Sequence, residues 1–344
     1  MKAVLYRTHG GNEVLEYGEL PESRPGPGEV LVRVEHAALN RVDLITRSGW
    51  PGIKLGLPHV PGCDGAGRVL ELGKGVTEFA VGDPVVIYPN LSDGTCEACL
   101  AGLDNQCRRW RLLGEHVWGT FRERVVLPQQ NLLKTPPDFP PREAAAASLV
   151  YLTAWHSLLA RGRVRPGEVV LVVGASGGVN TACIQIAKLA GASVFVVGSN
   201  RQKLAIAERL GADLLIDRSQ DPDWSKTAFL AHGRRGVDLV VDNVGAPTLA
   251  HSLRAARKGG RILTVGNSGG PQVALDNRLV FGKHLSILGS TMGTRSEFTT
   301  VMGLVFRGRL RPVLDREFPL AEAAAAFARM EAGEQQGKIT LAVG

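Results

Sequence analysis

Apolar positions change their rhythm twice along this chain. Up to about residue 128 they come in short runs broken by glycine and proline, clearest at 2–6, 29–37, 67–72 and 83–87. Such runs predict a β-rich, barrel-like domain. Prolines between 136 and 141 mark a hinge; Pro141 opens one helix and a second helical segment is expected at about 151–160. Residues 169–173 form a continuous apolar run, too short for a helical stripe, and read as a buried strand of a parallel sheet. Strands at 193–198, 214–216, 237–241 and 260–265 then alternate with helices at 179–190, 201–210 and 247–256. That alternation predicts a doubly wound parallel sheet. After residue 285 come a strand at 285–289, a helix at 296–307, an extended piece at 312–318, an alanine-rich helix at 321–331 and a closing strand at 338–343. The closing strand is expected to return to the first domain. The α/β fold is thus expected as a β-rich domain, 1–128 and 295–344, with a doubly wound domain, 129–294, inserted in it and a cleft between them.

The turn at 174–178, GASGG, joins a buried strand to a helix. Residues without a large Cβ let a backbone approach a pyrophosphate there, and the opening helix offers free N–H groups to it. Gly174, Ser176, Gly177, Gly178 and Val179 are therefore candidate cofactor residues, joined at neighbouring strand ends by Asn243, Val244 and Gly266.

With 344 residues, 44% of them hydrophobic, the chain can fill two ordinary cores. No apolar run reaches the roughly 20 residues of a membrane span. The N-terminus enters a strand-like pattern without a signal peptide's apolar core, so a cytoplasmic location is expected. The net charge of +7 is spread over dispersed arginines, which excludes a basic nucleic-acid-binding tail. Three of the five cysteines, Cys96, Cys99 and Cys107, lie close together, a spacing that suggests a metal before disulfides.

Several stretches together resemble the medium-chain dehydrogenase/reductase superfamily of zinc-containing alcohol dehydrogenases and zinc-free quinone oxidoreductases. They are NRVD at 40–43, PGCDGAGRV at 61–69, GDPV at 82–85, GTF at 119–121, VVGASGGV at 172–179, DLVVDNVG at 238–245, GGRILTVG at 259–266 and SILGSTMGT at 286–294. The resemblance implies a GroES-like substrate domain, a Rossmann cofactor domain, hydride exchange with a nicotinamide, and a homodimer or homotetramer. It also places Thr153 near the nicotinamide.

The same resemblance puts Asp93, Cys96, Cys99 and Cys107 on the superfamily's structural zinc lobe, with Asp93 where a fourth cysteine is usual. Three thiolates and a carboxylate are a sound tetrahedral set, so one structural zinc per chain is expected. At the catalytic zinc position the family's ligands are replaced by Asn40, Cys63, Asp64 and Leu149. Leucine cannot ligate and asparagine is a poor zinc ligand, so catalytic zinc is not expected.

Without a Lewis acid, alkoxide oxidation loses its main stabilisation. Reduction of a quinone or an α,β-unsaturated carbonyl makes a lighter demand, with Asn40 donating an amide N–H to the carbonyl oxygen. Asp43 is expected to order the site, Asp64 and His59 to lie in it, His59 or Tyr88 to compete with water as proton donor, and Cys63 to be buried and inert. Two other readings stand beside this one: an NAD(P)-dependent alcohol dehydrogenase with an atypical site, and a non-enzymatic nucleotide-binding or structural protein. No acidic residue follows the 193–198 strand, where Gly198 stands instead; Ser199 and Arg201 suit a 2′-phosphate, so NADP(H) is favoured over NAD(H).

Overall fold

A computed structural model describes residues 1–50 and 52–344. It divides into two compact units, one of Met1–Leu149 with Thr294–Gly344, the other of Val150–Gly293.

The first unit begins with Lys2–Leu5 (β1) paired antiparallel to Glu16–Glu19 (β2). Glu29–Ala38 (β3) follows, then the helix Arg41–Ser48 (α1), Asp64–Leu72 (β4) and Pro84–Ile87 (β5). In β3 the valines at 30, 32 and 34 point to one face and are fully buried, the period of two expected of a half-buried strand. A lobe carries the short ribbon Asn90–Leu91 (β6) and Arg111–Leu112 (β7), with the helical turn Glu97–Leu100 (α2) between them. Arg124–Pro128 (β8) pairs with β3, and Leu132–Lys134 (β9) with β5. This last pairing keeps 132–134 in the first unit, whereas the sequence reading began the cofactor domain at 129.

The helix Pro141–Trp155 (α3) runs straight into a π-helical turn, His156–Arg161. The two helical segments expected at 141 and 151 are thus one, because nothing between them breaks the backbone.

In the second unit Val169–Val173 (β10) is buried at every position. Gly178–Leu189 (α4), Ser193–Gly198 (β11), Arg201–Arg209 (α5), Leu214–Asp217 (β12), Trp224–Ala231 (α6), Val237–Asp242 (β13), Leu249–Ala255 (α7), Ala256–Thr264 (β14), Asn277–Gly282 (α8) and Ser286–Gly289 (β15) complete it. Among the described residues the six strands form one parallel sheet in the order β12-β11-β10-β13-β14-β15. The helix α6 was not expected from the sequence. It contributes Trp224 and Ala228 to the core under the sheet.

The chain then returns to the first unit as Arg295–Phe306 (α9), Leu314–Pro319 (β16), Ala323–Glu331 (α10) and Lys338–Ala342 (β17). As expected, β17 joins β3, antiparallel, with Thr340 opposite Ala38. The sheet of this unit runs β16-β17-β3-β4-β5-β9 with β8 also on β3. Its apolar face packs Val69, Ile87, Phe121, Phe327, Ile339 and Leu341 into one core. No helix among the described residues is long and apolar enough to cross a membrane.

Candidate functional site

The glycine turn of the second unit sits where parallel register brings strand ends together. Val173 pairs with Val197 on one side and with Asp242 on the other, and Asp242 pairs with Thr264. The residues just beyond, Gly174, Gly198, Asn243 and Gly266, therefore share the carboxyl edge of the sheet, where ligands of such sheets bind. Gly174 has φ +112°, and a Cβ there would meet Asn180 Nδ2 at 2.4 Å. Asn180, which sequence reasoning passed over as a polar residue in a helix, donates from Nδ2 to the carbonyls of Val173 and Gly174 at 2.8 and 2.9 Å. Its Oδ1 accepts from Asn243 Nδ2 at 3.1 Å. The turn and the end of β13 are thereby tied to each other.

The buried carboxylate of Asp242 holds the next segment. It accepts from the N–H groups of Val244 and Gly245 and from the hydroxyls of Thr248 and Ser252. Gly177 is the N-cap of α4, which begins at Gly178, so Gly178 and Val179 present N–H groups with no partner in their own helix. Ser176 is buried beside them. Asn243 Oδ1 is a buried acceptor with no hydrogen-bond partner among the described residues. A glycine-rich turn at a helix N-terminus, flanked by a buried acceptor, fits a dinucleotide.

Thr153 is buried on α3 with its hydroxyl 3.8 Å from Met292 Sδ, and Ser157 Oγ donates to its carbonyl at 2.6 Å. Ser199 leads into α5, whose N-cap Asn200 accepts from Lys203 N–H at 2.9 Å. Arg201 is exposed, its nearest acid Glu208 3.6 Å away on the same helix. Such a pair holds the guanidinium only weakly.

The first unit carries a buried polar network at the start of α1. Asn40 is the N-cap, and its N–H is accepted by Asp43 Oδ2 at 2.7 Å, the reach-back of a capping box. Asp43 Oδ1 takes the N–H of Gly62 at 3.0 Å. Asn40 Nδ2 donates to Asp64 Oδ2 at 2.8 Å, and Asp64 Oδ1 accepts the N–H of Leu149, also at 2.8 Å. The residue that completes this arrangement was not anticipated. Lys338, the first residue of β17, is buried and extends its ammonium to Leu39 O, Asn40 Oδ1 and Asp64 Oδ2, each at 2.7 Å. Burial pushes the Asp43 carboxyl up to about 7 against the pull of its N–H partners and Lys338. Burial, with the charges of Asp43 and Asp64 behind it, pushes the Cys63 thiol well above its ordinary value. Cys63 is fully buried, as expected of an inert thiol.

His59 is not in the network. Its Nε2 lies 3.0 Å from the Gly114 carbonyl, its ring packs against Tyr6, and burial lowers its pKa. Tyr88 spends its hydroxyl proton on Asp104 at 2.6 Å.

A divalent metal does not fit this network. Leu149 offers no ligand atom, and the oxygen atoms of Asn40 and Asp64 already serve a fixed ammonium.

The lobe at 93–107 is the opposite case. One ligand atom each from Asp93, Cys96, Cys99 and Cys107 lies within 4.8 Å of the others. Asp93 Oδ1 accepts the N–H groups of Thr95 and Cys96, both at 2.9 Å, which holds this carboxyl well below the usual carboxylate range. Its Oδ2 is buried with no hydrogen-bond partner, the only cation near it being Arg108 at 3.7 Å among the described residues. The N–H groups of Asp93 and Arg109 both point to Cys107 Sγ at 3.3 Å, support a thiolate needs. An orphaned carboxylate oxygen among three thiols fits zinc. Far from the polar network in its bonding, the lobe can fasten a loop and supplies no group to that network.

Residues 26–137 match the alcohol dehydrogenase GroES-like domain, and residues 178–307 the zinc-binding dehydrogenase family. A solved structure described as an NAD-dependent alcohol dehydrogenase is 46% identical, with a TM-score of 0.97 over all of both chains. An acryloyl-coenzyme A reductase of Metallosphaera sedula is 32% identical over 99% of both chains. A quinone oxidoreductase of Rattus norvegicus is 30% identical over 95% of this chain and 92% of its own. Sequence, fold and relatives agree: the chain belongs to the medium-chain dehydrogenase/reductase superfamily and is an NAD(P)-dependent oxidoreductase of the alcohol dehydrogenase-like class.

Proposed function

We propose that this enzyme transfers hydride, without a catalytic metal, to an α,β-unsaturated carbonyl compound, thioesters included, whose conjugated double bond is reduced, or to a quinone, which becomes a hydroquinone. The observation that carries the reading is the Lys338–Asp64–Asn40 network, which commits Asn40 Oδ1 and Asp64 Oδ2 to a buried ammonium. A bound nicotinamide supplies hydride. Asn40 binds the carbonyl oxygen: one Nδ2 proton is given to Asp64, and the second is free to stabilise charge that develops on that oxygen. Conjugation spreads the charge, so one amide donor suffices where an alkoxide would need a metal. Asp43 holds the Asn40 N–H and fixes the start of α1. With His59 and Tyr88 both engaged elsewhere, water delivers the proton to the carbon.

The similarity to an acryloyl-coenzyme A reductase and to a quinone oxidoreductase supports this acceptor class. The alcohol dehydrogenase reading draws on the 46% identical structure, but the donor set at Asn40 and Asp64 stands against metal-assisted alcohol oxidation. The proposed cofactor is NADP(H), on the strength of Arg201, only weakly held by Glu208, beside Ser199 and of glycine rather than an acid at 198. The proposed assembly is a homodimer built through the edge strand β15.

A panel of enones, α,β-unsaturated thioesters, quinones and simple alcohols, assayed with both cofactors in the presence and absence of a chelator, tests the reading. Reduction of conjugated acceptors that survives chelation is expected. Oxidation of simple alcohols abolished by the chelator would overturn it.

A further inference from the structure

In the sequence Lys338 is only the first residue of the closing strand, yet its ammonium is fully committed. All three of its ammonium protons have an acceptor at 2.7 Å, and the side chain is only 4% exposed. A buried ammonium is stable only where such acceptors surround it. Two of the three belong to groups already implicated in chemistry, Asn40 Oδ1 and Asp64 Oδ2, and the third, Leu39 O, is the backbone next to Asn40.

The consequence falls on Asn40. A carboxamide can turn over, exchanging its oxygen and nitrogen, and the orientation it keeps is set by its hydrogen-bond partners. Here the ammonium can only donate and the Asp64 carboxylate can only accept. Oδ1 must therefore face Lys338, and Nδ2 must face Asp64. The second Nδ2 proton then has one direction, and among the described residues no acceptor takes it. A lysine that touched Asp64 alone would neutralise a charge; one that also touches Oδ1 chooses which end of the amide does the work.

Resting on the carbonyl-reductase reading above, we propose that Lys338 is a positioning residue for the reaction: its ammonium locks the Asn40 carboxamide in the orientation that presents an N–H, not an oxygen, to the substrate carbonyl. The partner chemistry this dictates is a neutral acceptor oxygen that gains negative charge. An amide turned the other way would set oxygen against oxygen.

Three variants test this: Asn40→Ala, Lys338→Met and Asn40→Ala with Lys338→Met. Each is assayed on the best acceptor from the panel, alongside nucleotide binding and the melting curve. Asn40→Ala is expected to lower kcat on the order of a hundredfold. Lys338→Met is expected to lower kcat by a comparable factor with KM little changed, and the double variant to be no worse than Asn40→Ala. Lys338→Arg, which keeps a donor to Oδ1, is expected to recover part of the loss. Losses in the two single variants that multiply in the double variant would overturn the proposal, as would full activity in Lys338→Met. If Lys338→Met does not fold, Lys338→Met with Asp64→Asn removes both charges and carries the same comparison.

A second readout needs no turnover. With asparagine side chains labelled with 15N, the Nδ2 resonances of Asn40, identified by their loss in Asn40→Ala, are expected to be slow to exchange and to shift in Lys338→Met. Unshifted resonances would overturn the positioning role. No reduction of any conjugated acceptor by the wild type, with the resonance shift intact, would instead sink the reductase reading and leave the orientation of Asn40 standing.

Discussion

Lys338 Nζ lies 2.7 Å from Asp64 Oδ2, although 274 positions separate the two residues in the chain. The pair joins the first residue of the last strand to the first residue of β4, so it reports on the closure of the whole first unit. Taking away one charge leaves the other buried and unpaired. Asp64→Ala is expected to cost about 3–5 kcal/mol in urea unfolding, and Asp64→Asn with Lys338→Met much less, because nothing charged is then stranded. Equal losses in the two proteins would show that packing, not charge pairing, holds this corner.

Asp43 adds a pH dependence whose sign follows from its burial. Its folded-state pKa is raised from 3.8 to about 7, chiefly by desolvation. Between these values the unfolded chain has released the proton and the folded chain keeps it. The contribution of Asp43 to stability therefore falls as pH rises through this window and levels off above pH about 7. The stability of the wild type relative to Asp43→Asn is expected to decline from pH about 4 to about 7 and then stay flat. A difference independent of pH in urea titrations would show that the two N–H donors, not burial, govern this carboxyl.

The parallel sheet and its glycine turn were legible because each leaves a local mark, a continuous apolar run and a run of small residues; the return of the last strand was legible because the first domain needs another strand to complete its layer. The lobe of Asp93, Cys96, Cys99 and Cys107 was legible by a local mark too, its donors lying within one short stretch. Lys338 was not. A lysine at the first position of a strand ordinarily reaches solvent, and nothing in its neighbours names Asp64 as its partner. Asn180 was missed because its role, holding the Val173 and Gly174 carbonyls, depends on a turn that only the folded backbone makes. The helix break expected near 151 failed for the opposite reason. Alanines continue a helix, and the chain passes from α3 into the π-helical turn at His156–Arg161 without a break.

For the cofactor, the glycine turn and the strand that follows make separate predictions. Gly174→Ala places a methyl group at φ +112°, 2.4 Å from Asn180 Nδ2. Strain of about 1–3 kcal/mol and displacement of the Asn180 anchor are expected, seen as weaker binding of either nucleotide by fluorescence. Arg201→Ala is expected to act on one nucleotide only, raising KM for NADPH about tenfold and leaving NADH unchanged. An equal effect on both would remove Arg201 from the 2′-phosphate and return the preference to NADH.

The proposed dimer rests on β15, which among the described residues pairs with β14 alone and has its other edge open. Ile287 on that strand is 37% exposed and Phe281 on the preceding helix 65% exposed. An open strand edge with apolar neighbours is a template for another strand, and a second copy of the same edge meets it antiparallel about a two-fold axis. Ile287→Lys with Phe281→Glu is expected to convert the dimer to a monomer in sedimentation equilibrium. An unchanged mass would place the interface elsewhere.

Zinc at the lobe should stabilise without taking part in turnover. Elemental analysis of protein purified without added metal is expected to find about one zinc per chain, since the four donors near Asp93 suit it and the Asn40 network does not. Cys107→Ser removes a thiolate that two N–H groups support and should empty the lobe, lowering the melting temperature by several degrees. Asp93→Cys restores the usual fourth thiolate and should retain zinc more tightly against a chelator. In each variant kcat per folded chain should stay at the wild-type value, because no bond in the structure links these donors to Asn40, Asp64 or Lys338 among the described residues. Two zinc ions per chain, or a kcat that tracks the zinc content of Cys107→Ser, would mean that metal does reach the chemistry and that the buried ammonium is not its replacement.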